Sequence, residues 1–207
     1  MDTINLLSIQ VDQYQPQSQK AYTFLADGNK QSILPSTSTI VNVRYGHLRR
    51  LAESPLFTGM ILDNQIRAGE KAYGWTTTFH YLGTFSLSPT IRYKQTIGKK
   101  WHLQVQAWLP LVSWVTRSPY ALNDDEYMKD NANHNGLNTF FNYVANGEIQ
   151  SLNHLQKVNL YTGLTYSIGR KTDLLLSYQL EGLHYVKPRS LISYQQYVNT
   201  GIQFTFN

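Results

Sequence analysis

Ile192-Ser193-Tyr194-Gln195-Gln196-Tyr197-Val198-Asn199-Thr200-Gly201-Ile202-Gln203-Phe204-Thr205-Phe206 is the stretch that decides the fold. Its even positions carry Ile192, Tyr194, Val198, Ile202, Phe204 and Phe206. Its odd positions carry Ser193, Gln195, Asn199, Gln203 and Thr205. Side chains of an extended strand point alternately to opposite faces. The segment therefore has one oily face and one wet face.

The same period of two recurs upstream. Leu174, Leu176, Tyr178 and Leu180 oppose Asp173, Ser177, Gln179 and Glu181; Val158, Leu160, Leu164 and Tyr166 oppose Lys157, Asn159, Thr165 and Ser167. Trp101, Leu103, Val105 and Ala107 oppose His102, Gln104, Gln106 and Trp108. Tyr81, Phe85, Leu87, Ile91 and Tyr93 oppose His80, Thr84, Ser86, Arg92 and Lys94. Earlier still, Met60, Leu62 and Ile66 oppose Asp63, Gln65 and Arg67, Val41, Val43 and Tyr45 oppose Asn42 and Arg44, and Leu7, Ile9 and Val11 oppose Ser8, Gln10 and Asp12. This alternation predicts eight strands, at 4–14, 38–51, 56–69, 75–96, 100–116, 150–168, 171–186 and 191–207.

The connections alternate too. Those at 51–56, 96–100 and 168–171 are short; those at 15–37, 69–75, 116–150 and 186–191 stand at the other end, and two of them are long. Short turns on one side and long loops on the other is the layout of membrane barrels, with long loops outside the cell. An even number of strands then brings both termini to the short-turn side. Pro89 and Pro110 fall inside strand segments, where proline removes a ladder donor, so bulges are expected there.

Composition agrees with one dry and one wet face. Charged residues are 15% of the 207, aromatics 13%, and there is no cysteine. The first figure lies below the roughly 25% of ordinary soluble domains. Disulfides and thiolate chemistry are excluded. No apolar run approaches the about 18 residues of a membrane helix, whereas barrel strands need only about 9–11 residues with alternate ones apolar. Met1-Asp2-Thr3-Ile4-Asn5 reads like a mature start, with a secretory leader expected to have been removed. The net charge of +5 is mild and scattered, which argues against nucleic acid as a partner.

The wet face carries the charges: Asp12, Arg44, Asp63, Arg67, Arg92, Lys94, Lys157, Asp173 and Glu181. Both signs are present, as a self-pairing lumen network needs. The oily face carries none through mid-strand. Its aromatics fall in two groups. Tyr45, Phe57, Tyr93, Trp101, Tyr166, Phe204 and Phe206 lie toward the short turns, and Phe79, Tyr81, Tyr178 and Tyr194 toward the long loops. Such girdles suit two membrane interfaces. Residues 1–207 are thus expected to form one domain: an all-β, up-and-down, eight-stranded antiparallel transmembrane β-barrel with a charged polar lumen and two long extracellular loops.

The ending Gly201-Ile202-Gln203-Phe204-Thr205-Phe206-Asn207 resembles the aromatic terminal strand that outer-membrane proteins offer to the barrel assembly machinery, although the family ends on the aromatic itself and Asn207 follows here. The overall plan is similar to the small OmpA/OmpX-type barrels of Gram-negative bacteria. The hairpin from Ser88-Pro89-Thr90-Ile91-Arg92-Tyr93 to Gly98-Lys99-Lys100-Trp101 looks like barrels of Bacteroidota. The resemblance implies the cell outer membrane, with its lipid and lipopolysaccharide and other outer-membrane proteins as partners. The first functional reading is a structural or adaptor barrel, not a general diffusion pore, with no cofactor expected.

Several residues bear on other chemistry. His80, with Ser86 and Ser88 on its strand face, and Glu181 are the constituents of a Ser/His/acid set; His184, on the outward face near the rim, is where lipid head groups sit. A lipid-modifying enzyme of the outer leaflet is the alternative these residues keep open, although no Gly-x-Ser-x-Gly elbow is present. A soluble barrel with a small apolar ligand is a third reading. Asp124, Asp125 and Glu126, near Asp130 and His134, offer hard oxygens to a divalent cation, without EF-hand spacing; a solvated acidic loop is the plainer account. Leu137 to Ala145, with Phe140, Phe141 and Tyr143, is apolar for a loop. It reads as a short helix over the barrel mouth, a plug, or a partner contact.

Overall fold

A computed structural model describes residues 2–15, 22–26, 28–33, 37–73, 76–118, 136–169, 172–187 and 190–204. Strand β1 (Thr3–Tyr14) is followed by a small hairpin, β2 (Tyr22–Ala26) and β3 (Asn29–Ile33). Long strands β4 (Thr37–Arg50), β5 (Leu56–Tyr73) and β6 (Thr76–Ile97) come next. Then follow β7 (Trp101–Trp108), β8 (Val112–Arg117), helix α1 (Gly136–Ala145), β9 (Glu148–Ser151), β10 (Leu155–Ser167), β11 (Thr172–Tyr185) and β12 (Leu191–Phe204). Every pairing is antiparallel, and the main path through the sheet runs β1-β4-β5-β6-β7-β10-β11-β12. That path visits the eight expected segments in order, but the sheet holds twelve strands, with β2, β3, β8 and β9 off the path, so the expected eight-stranded barrel is met only as a curled, open antiparallel sheet.

The sheet is curled and barrel-like. Arg67 on β5 donates to Ser193 Oγ on β12 at 3.1 Å, and Lys157 on β10 reaches Asp63 on β5 at 2.8 Å, although these strands are far apart along the path. β1 and β12 are its two ends, and among the described residues no hydrogen-bonded pair joins them. The outer ends of β1 and β12 lie at the short-turn end, with Thr3 beside Arg49 and Phe204 beside Thr172.

Two expected strands are interrupted. The segment 100–116 divides into β7 and β8, and 150–168 into β9 and β10; β7 pairs β10, and β8 pairs β9. Both breaks lie at the same place, and proline is the reason. Leu109 N donates to Pro89 O at 3.3 Å, and Leu111 N to Leu87 O at 3.1 Å. At every second facing pair of an antiparallel ladder, the two residues exchange both bonds. Pro89 has no N–H to return, and the register between β6 and its neighbour slips by one residue there. By alternation, Pro110 turns its own missing donor to the other side, into the gap between β9 and β10. The two prolines thus share one ladder defect.

Other differences are at the long-loop end. β5 and β6 run on to Tyr73 and Thr76, so the connection expected at 69–75 shrinks to two residues. The loop 15–37 carries the β2–β3 hairpin, whose Ile33 pairs with Tyr73. At the opposite end, Gly98 holds φ +65° in the β6–β7 turn, a conformation that glycine adopts without cost.

Gly59 marks a tight approach between β4 and β5. A Cβ built there would lie 2.0 Å from the carbonyl oxygen of His47. That atom belongs to backbone and cannot swing aside. Gly59→Val is therefore expected to prevent formation of the β4–β5 hairpin in its present register, seen as loss of the folded band on an unheated gel. Gly201→Ala, where a Cβ meets nothing within 4 Å, is the control expected to fold.

The faces are inverted relative to a soluble protein. Along β4, Asn42 and Arg44 are buried while Val43 and Tyr45 are exposed. Along β5, Asp63, Gln65 and Arg67 are buried while Met60 and Leu62 are exposed. On β11 the buried residues are Ser177, Gln179 and Glu181, and the exposed ones are Leu174, Leu176 and Tyr178. Apart from Trp108 at the middle level, the buried apolar side chains gather toward the ends of the interior. Leu48, Phe57 and Ile61 form a layer near the short turns, and Leu82, Val115, Leu155, Leu183 and Tyr185 cluster near the long loops.

Phe57 corrects one expectation. Grouped above with the outward aromatics, it shares parity with Asp63 and lies inside the sheet. The Arg50 guanidinium stands 5.2 Å from its ring centre. Tyr45, Tyr93, Trp101 and Tyr166 do face outward near the short turns, and the Trp101 and Tyr166 rings approach within 4.7 Å. The Phe79 and Phe204 side chains and Phe206 lie outside the described residues.

Candidate functional site: the charged lumen

Strand parity sends charges from four strands to one level of the interior. Asp63 is the centre. Arg44 Nε reaches its Oδ1 at 2.8 Å, and Lys157 Nζ reaches its Oδ2 at 2.8 Å. Glu181 faces the same two cations, at 3.6 Å from Arg44 and 3.8 Å from Lys157. Two cations against two carboxylates leave this group neutral. Asp63 and Lys157 are each 0% exposed and Glu181 1%.

Buried charges persist only where their remaining lone pairs and protons are also satisfied. Neutral amides do this. Gln65 Nε2 donates to Glu181 Oε1 at 2.7 Å and to Asn42 Oδ1 at 2.9 Å. With its amide nitrogen toward Glu181 Oε2 (3.2 Å), Asn159 turns its oxygen to Trp108 Nε1 (3.1 Å). Gln179 presents its oxygen to both Arg44 terminal nitrogens, at 3.0 and 3.1 Å. The Arg44 guanidinium also stands 5.2 Å from the Trp108 ring centre, within cation–π range.

The other expected members of the network are spread more widely. Arg67 bonds to Ser193 rather than to a carboxylate in the central group. Arg92 donates to Gln106, and Gln106 Nε2 donates in turn to Thr90 Oγ1 at 3.0 Å. Lys94 is exposed near the short turns, and Asp173 is half-buried at that end. Asp12 is half-buried on β1, with its Oδ2 buried and without a hydrogen-bond partner among the described residues. The amides Asn42, Gln65, Asn159 and Gln179 and the indole of Trp108 were not among the expected members. Their signal in the sequence was parity alone, shared with the charges.

Beside the central group, toward the short turns, lies a cavity of about 430 Å³. Arg44, Arg92, Lys94, Gln104, Gln106 and Tyr161 line its polar side, and Ile4, Leu6, Ile61 and Trp108 its apolar side. The interior is therefore only partly filled by side chains.

The candidate catalytic residues are not brought together. His80 on β6 bonds to Ser38 Oγ on β4 at 3.1 Å, across Gly69 of the intervening β5. Ser86 takes its hydrogen bond from Ser113 at 2.7 Å, and Glu181 belongs to the central charge group. His184 lies on the outward face with its ring nitrogens at Gln156 (3.3 Å) and Ser190 (3.1 Å). No Ser/His/acid relay forms among the described residues. Asp124, Asp125 and Glu126 lie outside them, and among those described no group of three His, Cys, Asp or Glu stands ready for a metal.

Of the three readings of the apolar loop segment, a short helix, a plug or a partner contact, the structure shows a helix, α1. Trp114 Nε1, on the outward face of β8, donates to Val144 O at 2.7 Å. The last turn of α1 is thus fastened to the outer wall and not seated in the lumen. Phe141 is exposed, while the side chains of Phe140 and Tyr143 lie outside the described residues. No family model, curated protein or solved structure matches this chain.

Proposed function

We propose that this chain is an outer-membrane β-barrel with a structural or adaptor role, closed by its β1 and β12 edges and holding its long loops outside the cell. The observation that carries the reading is the inversion of faces. Asp63, Lys157 and Glu181 are sealed inside, while Leu62, Leu176 and Val158 face out. In water, each aliphatic side chain left exposed forgoes roughly 1.5–3 kcal/mol of burial. Against hydrocarbon that debt vanishes, and the aromatic residues Tyr45, Tyr93, Trp101 and Tyr166 gain an interface to occupy. The partners on this reading are membrane lipid, lipopolysaccharide and other outer-membrane proteins.

A general diffusion pore is disfavoured by the same interior. Among the described residues the central ion pairs fill the middle of the interior, and the bore of an eight-stranded barrel is narrow enough for side chains to fill. A soluble carrier of apolar ligands would need an apolar interior, and this one is charged. The test is site-directed spin labelling at Leu62 and Leu176 after refolding into phosphatidylcholine vesicles. Both labels are expected to be reached by oxygen in preference to a water-soluble nickel complex. Preference for the nickel complex at both positions would overturn the membrane reading. A planar bilayer containing the protein is expected to carry no steady ohmic conductance, and open-channel currents would overturn the structural role.

A further inference from the structure

We propose that the cavity beside the charge group is a binding site for a small amphiphilic anion, a phosphate or carboxylate on a short apolar tail. Charge balance is the first argument. Asp63 and Glu181 are both engaged by Arg44 and Lys157. Arg92 and Lys94 face the same cavity, and among the described residues neither has a carboxylate partner. Arg92 is only 6% exposed, and its hydrogen bonds go to a neutral amide, Gln106. A buried guanidinium satisfied by an amide alone retains an unmet demand for negative charge. An anion entering the cavity would meet it with charge-assisted bonds.

Shape and lining supply the second argument. A volume near 430 Å³ lies within the range of small-ligand pockets. Opposite the cations, Ile4, Leu6, Ile61 and Trp108 offer an apolar wall that inorganic phosphate would leave uncovered. The lining also includes Leu7, which faces the other side of β1 from Leu6, so the cavity reaches the free edge of that strand. A ligand could enter from water at the short-turn end or from a bilayer across that edge. The site does not depend on the membrane reading, since the lumen and its charges are the same in either setting.

Hexyl phosphate is the probe, followed by phosphorus NMR with the refolded full-length protein in a neutral detergent. A saturable shift is expected. Arg92→Gln is expected to weaken it roughly ten- to hundred-fold, the worth of one hydrogen bond to a charged group, and Arg92→Lys to recover part of it. Lys94→Gln, at an exposed position, serves as the second variant in case Arg92→Gln does not fold, and is expected to weaken binding too. Inorganic phosphate is expected to bind far more weakly than hexyl phosphate. Phosphatidate in vesicles bearing the protein identifies the source: displacement of hexyl phosphate assigns the site to lipid, and no displacement assigns it to a water-borne anion. The proposal is overturned if the wild type shows no saturable binding, if folded variants bind as the wild type does, or if inorganic phosphate binds equally well.

Discussion

Replacing Asp63 by alanine is expected to cost about 3–5 kcal/mol of stability, the usual penalty for orphaning a buried charge. Arg44 and Lys157 each approach Asp63 at 2.8 Å, and Lys157 has no exposed surface through which water could replace the lost carboxylate. Glu181 remains, but at 3.6 and 3.8 Å from the two cations it is the looser partner, and one carboxylate cannot balance both. Urea unfolding in a fixed lipid, read by gel migration or tryptophan fluorescence, measures the loss. Asp63→Asn keeps the shape and hydrogen-bonding capacity while removing the charge, so it is expected to recover only a minor part. The double variant Asp63→Leu with Lys157→Met removes one charge of each sign and leaves Arg44 with Glu181. It is expected to be more stable than Asp63→Ala alone. A cost under about 1 kcal/mol for Asp63→Ala, the value of an exposed pair, would mean that water reaches this part of the lumen.

Much of this arrangement was legible from parity. A strand has only two faces, so once Arg44, Asp63, Lys157 and Glu181 fell on the polar side of their strands, their meeting required only that the sheet curl. Parity is also why Trp108 and Gln65 could have been counted with them. Four things were not legible. Pro89 and Pro110 announced a bulge, but that both fall on one shared ladder site depends on the β6–β7 register, which a single strand does not encode. Phe57 was grouped by its oiliness rather than by its parity; Leu48, Phe57 and Ile61 form an apolar inner layer because a lumen end, unlike its middle, has fewer charges to solvate. The cavity beside Arg92 was invisible because a void is what side chains fail to fill, and no residue type signals it. The apolar segment 137–145 stood out in the sequence, but its choice of helix among the open readings and its attachment to Trp114 needed three dimensions.

The second large effect separates hydrocarbon from water by depth instead of by exposure. Leu176 on β11 and Ile97 at the end of β6 both face outward and both are 50% exposed. Ile97 pairs with Trp101, beside the β6–β7 turn, while Leu176 lies inward of the Trp101–Tyr166 ring pair along the strand direction. In water, equal exposure means equal tolerance, and arginine at either position would change stability by no more than about 0.5 kcal/mol. In a bilayer, the cost of arginine on the outer wall rises with depth, from about 0–1 kcal/mol near an interface to about 2–4 kcal/mol at the midplane. Leu176→Arg is therefore expected to cost about 2 kcal/mol or more in vesicles, and Ile97→Arg less than about 1 kcal/mol. The long arginine stem can bend toward the head groups, so Leu176→Asp, with no such reach, is a useful companion. Reversible urea unfolding from the same lipid gives all three numbers on one scale. Equal and small costs for Leu176→Arg and Ile97→Arg would remove hydrocarbon from the outer wall, and the buried charges would then need an explanation other than a membrane.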